Sequence, residues 1–492
     1  MILRFTLAPF EFFVLHTRTR FPFRYGIASM TDVPHLFLRT TVTVTSNSSF
    51  GLTAEGLPPK WFTKNPHTTF DQDLPQMLQV IQNAATLAVH IALRPISFFD
   101  FWRELYRQQM DWARSLAIAP LLANLGVSLV ERAVLDGLCR LSGEPLHRLI
   151  ATNRLEISLR TLDTQFAEQQ PADFLPATPL DTCFVRHTIG LGDPLAPADI
   201  PADERLDDGL PQDLESSIRA YGLRYFKVKL SGVPDRDFPR LRNLAQLLER
   251  ETTGVFFLTL DGNENFQSFG EFRDFWQQAS SEPALAALWH RILIVEQPVH
   301  RDVALSDSAG AALCAWPDRP MLIIDESDAA LADLPRALEL GYAGTSHKNC
   351  KGIVKGIANA CLLAKRRSLG HSVVLTGEDL CNLGPLALLQ DLAMTSLFGI
   401  EHVERNGHHY YRGLSMLPSE WQNAMLASHG DIYVRRAKNL VSLKIKSGKF
   451  QLGSVNGAPF GVFPLLDPSL FSPLEDVCKK APECHPQSRS GA

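Results

Sequence analysis

From about residue 220 to 415 the chain repeats one pattern six or more times: a short apolar, β-branched run followed by a helix-length amphipathic segment. YFKVKL precedes FPRLRNLAQLLERE, VFFLTLD precedes FGEFRDFWQQA, and RILIVEQP, MLIIDES and their successors continue the series. Strands separated by helices cannot pair as hairpins; they lie parallel, with the helices covering the sheet. Six or more such units in series favour a closed barrel. An open doubly wound sheet is the fallback, but no Gly-rich dinucleotide or phosphate loop follows any strand. In barrels of this kind the working residues cluster at the C-terminal ends of the strands.

Those ends carry charge. Lys227 and Lys229 alternate in YFKVKL and so share one face of a strand. LTLDGN ends near Asp261, ILIVEQP carries Glu296, MLIIDES carries Asp325 and Glu326, and SHKNCKG carries Lys348. The order is Lys, acid, acid, acid, Lys. Burying such groups is expensive unless they act on something. Carboxylates from three successive strand ends, with no His or Cys nearby, suit Mg²⁺ rather than Zn²⁺. DGNEN is not an EF-hand loop, because Phe266 and Phe272 occupy its sixth and twelfth positions. A free lysine with a pKa of about 10.4 is neutral only about once in a few thousand at pH 7. A lysine base therefore needs a lowered pKa, and both its lysine neighbour and a nearby metal act in that direction.

This succession of residues resembles the enolase superfamily, specifically its muconate-lactonizing-enzyme-like branch, over about residues 1 to 430. The resemblance implies a modified TIM barrel, (β/α)7β-like, under an α+β capping domain. It implies Mg²⁺ held by Asp261, Glu296 and Asp325, the Asp of the DE pair rather than Glu326. It further implies an enediolate formed when the proton α to a substrate carboxylate leaves. Lys229, second of the KxK pair, and Lys348 would be the bases on opposite faces, with Lys227 beside them. Lys351 and Lys355 are local rivals of Lys348, which aligns better with the strand end; Cys350 reads as packing. Asn263 matches a DxN pattern and supports either the site or a turn.

FRYGIASMTD (23–32) and AEGLPPKW (54–61) fall where that family keeps two loops that close over the substrate; Arg24 and Tyr25 in the first would either contact a substrate's distal end or be structural. The seventh strand, SVVLTGEDL, ends in Thr376, Glu378 and Asp379, and His371 precedes it at the wrong end. This departs from the acid-sugar dehydratases, whose seventh strand supplies a His. The eighth, GIEHVERNGHHYY, places Glu404 near the mouth, either to meet a cationic substrate group, as in relatives that epimerise dipeptides, or as a cap or ion-pair partner. His408 and His409 read as exposed loop residues. Two opposed lysines permit racemisation or epimerisation. Syn-elimination (succinylbenzoate-synthase-like), cycloisomerisation (muconate-cycloisomerase-like) and carboxylate binding without turnover use the same frame.

Around the barrel, expected over 175–425, residues 1–150 read as strands followed by helices, an α+β capping unit. Pro-rich acidic stretches across 151–215 read as surface insertions, 430–470 as short strands returning to the cap, and 472–492 as a polar disordered tail. At 492 residues the chain suits a barrel plus a second domain, and its 45% hydrophobic and 21% charged content is that of an ordinary globular protein. A net charge of −5 gives no reason to expect nucleic acid or membrane partners. Glu11 and Pro9 interrupt any signal-like apolar core, and the eight cysteines are scattered without a CxxC pair. Those features read as free thiols in a reducing cytoplasm. The expected partner is a small-molecule carboxylate; the resemblance leaves the oligomeric state open, relatives usually being symmetric homo-oligomers.

Overall fold

The computed structural model describes residues 2–25 and 27–475. The first unit is antiparallel. Strands β1 (Arg4–Leu7), β2 (Glu11–Tyr25), β3 (Ala28–Val44), β4 (Asn47–Gly56) and β5 (Ile96–Ser97) form its sheet, with β2 and β4 on either side of β3. The alternating run LFLRTTVTV in β3 supplies the buried face, and Thr45 at φ 55° begins the tight turn into β4. Helices α1 (Pro59–Thr63), α2 (Phe70–Ile91), α3 (Phe98–Ser115) and α4 (Pro120–Ser142) follow. The α2 helix starts at a Thr69–Gln72 capping box, and α4 starts with Pro120 in its first turn and stops at Gly143 in the left-handed conformation.

Helix α4 is buried on every side from Leu121 to Cys139, because it lies between the antiparallel sheet and the second unit. It approaches β4 so closely that a Cβ on Gly51 would stand 2.0 Å from the Ala133 carbonyl oxygen.

The second unit is a closed barrel of eight parallel strands: β6 (Thr182–Ile189), β7 (Tyr225–Lys229), β8 (Phe257–Asp261), β9 (Ile292–Glu296), β10 (Leu322–Ile324), β11 (Gly344–His347), β12 (Val374–Gly377) and β13 (His402–Glu404). Pairing of β13 with β6 completes the ring. Amphipathic helices such as Pro234–Glu251 and Phe269–Ser280 cover it. The expected TIM-type barrel with an α+β cap is thus the observed architecture. No helix among the described residues is long and apolar enough to cross a membrane.

The later strands divide between the units. β14 (Tyr433–Arg435) and β15 (Val441–Leu443) pair with each other, β16 (Lys449–Gln451) joins barrel strand β6, and β17 (Ser472–Pro473) joins β2. The segment 430–470 therefore adds a strand to the barrel as well as returning toward the cap, and the tail expected from 472 opens with a paired strand; 476–492 lie outside the described residues. The acidic insertion also docks: Asp208 accepts from Arg20 of β2 at 2.5 Å. A polar seam joins the units where β4 meets the barrel, with Thr53 donating to Gln390 at 2.9 Å and the Gly56 amide to Asn382 at 3.1 Å. That seam carries residues 58–61 over the C-terminal mouth.

Gly51→Ala should destabilise the protein by roughly 1–3 kcal/mol, because α4 backbone, the Ala133 carbonyl and the Gly137 amide, occupies the place of the added methyl group. Gly457→Ala, with nothing within 4 Å of its Cβ, should leave the thermal unfolding midpoint close to wild type. Equal midpoints for the two variants would refute the close approach of α4 to β4.

Candidate active site

Parallel strands of a closed barrel end at one rim, so residues remote in sequence meet there. Register aligns Lys229 with Asp261 and Asp261 with Glu296 across β7, β8 and β9. Asp325 follows β10, Lys348 follows β11, Glu378 follows β12, and Glu404 ends β13. These side chains are all buried.

Lys227 occupies the centre. Its Nζ lies 2.9 Å from Asp261 Oδ2, 2.9 Å from Glu296 Oε2, 2.8 Å from Glu378 Oε2 and 2.7 Å from Glu404 Oε2. Lys229 donates to Asp261 Oδ2 at 2.6 Å, while Lys348 donates to Asp325 Oδ1 at 2.7 Å and to Glu378 Oε2 at 2.6 Å. Arg186 of β6 closes the cluster, donating to Glu378 Oε1 at 2.7 Å. Thr188 and Asn406 take the remaining oxygen of Glu404.

Burial alone would lower the Lys227 pKa, but Asp261, Glu296, Glu378 and Glu404 outweigh it and hold the ammonium well above its ordinary value. Burial likewise opposes Asp325 and Glu378 in raising the Lys348 pKa, and again the carboxylates prevail. At Lys348 the neighbouring Lys227 charge acts in the lowering direction but is outweighed by the acids. Burial and the Glu378 charge raise Glu296 well above the carboxylate range, whereas Lys348 and Lys351 overcome burial to keep Asp325 far below it.

Carboxylate oxygens of Glu296, Asp325 and Glu378 lie within 4.8 Å of one another, a group that could hold a metal ion. The geometric group thus substitutes Glu378 for Asp261, whose Oδ2 is taken by Lys229 and Lys227 and whose Oδ1 accepts from the Asn263 amide at 2.8 Å. Glu326 points aside: its Oε1 accepts from Asn263 Nδ2 at 3.3 Å, and burial with the Asp325 charge pushes its pKa up to about 7. Lys351 touches Asp325 Oδ1 at 2.8 Å, and Lys355 pairs with Asp328.

A pocket opens above the cluster, with Lys227, Lys229, Asn263, Asp325, Lys348, Glu378, Glu404 and Asn406 in its lining. The cap supplies Phe23, Pro58 and Trp61, and the Trp61 ring stands 5.1 Å from Lys348 Nζ. Arg24 does not join them. Its guanidinium lies against Gly192, where an added Cβ would meet Nη1 at 2.5 Å, because alternation along β2 turns Arg24 away from the face that carries Phe23. The side chain of Tyr25 lies outside the described residues. Cys350 is buried, which raises its thiol pKa well above normal.

His408 and His409 are buried rather than exposed, correcting the loop reading. His408 Nε2 and His187 Nδ1 are 3.0 Å apart, and burial drives both His408 and His409 well below the usual histidine range. Glu378 and Arg186 went unassigned in the sequence. The strand-end rule reaches Glu378; nothing in the sequence marks Arg186, which lies mid-strand between Val185 and His187.

No family model and no curated protein matches the chain. Solved structures do. A mandelate racemase/muconate lactonizing protein from Herpetosiphon aurantiacus is similar at a TM-score of 0.58 and 16% identity, over 93% of this chain and 98% of that one. A muconate lactonizing enzyme from Pseudomonas fluorescens, complexed with muconolactone, has a TM-score of 0.58 at 15% identity, over 94% and 97% of the two chains. A dipeptide epimerase from Methylococcus capsulatus, complexed with Mg and the dipeptide L-Arg-D-Lys, has a TM-score of 0.52 at 16% identity, over 90% and 99%. Barrel, cap and coverage agree across all three, and the chain is therefore built on the fold of the mandelate racemase/muconate lactonizing structures of the enolase superfamily.

Proposed function

We propose that this chain is a Mg²⁺-dependent enzyme that removes the proton α to a carboxylate of a small-molecule substrate, with racemisation or epimerisation as the favoured outcome. The observation that carries the reading is the placement of two lysines. Strand β7 is second and β11 sixth in a ring of eight, so Lys229 and Lys348 stand on opposite walls of one pocket with the acids between them. A substrate lying across the acids would present one face of its α-carbon to each lysine. Lys229 takes the proton from one face and Lys348 returns one to the other; in the reverse direction the roles exchange. Lys227, gripped by four carboxylates, orients the substrate carboxylate, and Glu404 with Thr188 orients Lys227.

The acids suit a hard divalent cation: all donors are carboxylate oxygens, and those of Glu296, Asp325 and Glu378 already converge. Glu296 and Asp325 would hold Mg²⁺ with Asp261, which stands beside Glu296 in register, whereas Glu378 is paired with the Arg186 guanidinium as well as with Lys227 and Lys348. Bound Mg²⁺ would neutralise the acids that keep the lysines charged and stabilise the negative charge developing on the substrate carboxylate. Elimination or cycloisomerisation remains the second reading, favoured by likeness to a muconolactone-bound structure. Against a dipeptide with a cationic side group, Glu404 has no free carboxylate to offer, being held by Lys227, Thr188 and Asn406.

Incubated in D₂O with enantiomer pairs of amino-acid derivatives, dipeptides and 2-substituted carboxylates, the enzyme should exchange an α-proton only when Mg²⁺ is present. Lys229→Ala and Lys348→Ala should each abolish interconversion, with exchange from one enantiomer surviving in each; general-base loss costs about 10²–10⁴-fold. Interconversion that persists in both variants would refute the two-lysine reading. Asp261→Asn should weaken Mg²⁺ binding at least tenfold, ~1.4 kcal/mol, by calorimetric titration; a larger loss in Glu378→Gln would transfer the third ligand to Glu378.

Lys227→Met leaves four carboxylates without their shared cation. In EDTA it should destabilise the protein by about 3–5 kcal/mol, and Mg²⁺ should recover more of the unfolding temperature in the variant than it adds to wild type. An unchanged midpoint in EDTA would show that Lys227 does not neutralise the cluster.

A further inference from the structure

Strand β11 delivers Lys348 to the rim, but the residues after it turn tightly over Asn349–Lys351 before helix Ile353–Ser368 begins. That helix has no cap of its own. Its N-cap position is Gly352, at φ 100°, with no side chain to accept from the first-turn amides. Such amides lack intrahelical acceptors and need a partner when buried.

Helix α4 of the cap provides it. The Glu131 carboxylate accepts from the Ile353 amide through Oε1 and from the Val354 amide through Oε2, the latter at 3.3 Å. The Ser128 hydroxyl donates to the Asn349 carbonyl, and Asn124 Nδ2 donates to the Lys351 carbonyl at 2.7 Å. Residues 124, 128 and 131 recur at i, i+4 and i+7, on one helical face. All three are buried, Glu131 completely. One face of α4 therefore grips both ends of the turn that follows Lys348. The opposite lysine has no such dependence, because Lys229 is the last residue of β7 and is held in register against Asp261 of β8.

We propose that Glu131, aided by Ser128 and Asn124, is a positioning residue: it caps helix Ile353–Ser368 from outside and thereby sets where Lys348 Nζ stands in the pocket. The inference rests on the reading of Lys348 as an acid/base group. Glu131→Gln keeps one oxygen to accept from the Ile353 amide but puts an NH2, which cannot accept, in place of the second.

The test compares Glu131→Leu with Glu131→Gln in the full chain. Hydrogen–deuterium exchange, which needs no ligand, should show residues 349–356 exchanging at least tenfold faster in Glu131→Leu. With the enantiomer pair that the wild-type enzyme interconverts, α-proton exchange from the enantiomer silenced by Lys348→Ala should fall at least tenfold. Exchange from the other enantiomer should stay within twofold, and KM within threefold. Glu131→Gln, which keeps one of the two acceptors, should show smaller losses than Glu131→Leu in both readouts. If Glu131→Leu fails to fold, Ser128→Ala carries the same two measurements. Equal losses from both enantiomers, or a loosened turn with undiminished exchange on the Lys348 side, would overturn the positioning role and leave the two-lysine reading standing. A Lys348→Ala variant that exchanges both enantiomers normally would instead defeat the reading of the pocket, and this inference with it.

Discussion

Charge pairing at the barrel mouth is the constraint on which the rest of the molecule depends. Lys227, Lys229, Lys348, Lys351 and Arg186 meet Asp261, Glu296, Asp325, Glu378 and Glu404 in a region almost closed to water. An isolated charge there would cost several kcal/mol, and even a paired one repays its desolvation only with good geometry. Every lysine of the cluster therefore lies within hydrogen-bonding reach of a carboxylate, and Lys227 touches four. Such a cluster adds little to stability by itself, since apolar side chains would fill the space at lower cost. Its presence is intelligible where the charges act on a ligand.

The geometry that permits it is the ring of parallel strands. Because all eight point the same way, their C-terminal residues form one rim, and register places Lys229, Asp261 and Glu296 side by side. The ring also sets Lys229 and Lys348 on opposite walls, four strands apart, whatever the length of chain between them. The ionised acids around Lys227 and Lys348 keep both as ammonium groups.

The cap contributes apolar walls and backbone support. Phe23, Pro58 and Trp61 cover the pocket, and the seam of Thr53, Gly56, Asn382 and Gln390 fixes their height above it. Helix α4 tolerates polar residues at full burial because each finds a backbone or side-chain partner: Arg132 pairs with Glu55 at 2.9 Å, and Asp136 accepts from the Leu52 amide at 3.0 Å.

Much of this was legible in the chain itself. Period-two runs alternating with helical segments determine a parallel βα barrel, and a charged residue at the end of such a run must arrive at the rim; Lys227, Lys229, Asp261, Glu296, Asp325 and Lys348 were all reached that way. What the residues do to one another there was not legible. Lys227 holding four carboxylates, Glu378 replacing Asp261 in the converging group, Arg24 turning away and His408 and His409 entering the core all follow from which side chains the closed ring and the docked cap bring within a few ångströms. Periodicity is a local property, carried by neighbours along the chain. Ion pairing and burial are decided by distances between residues far apart along the chain, 337 positions in the case of Thr53 and Gln390, and only the tertiary structure sets those.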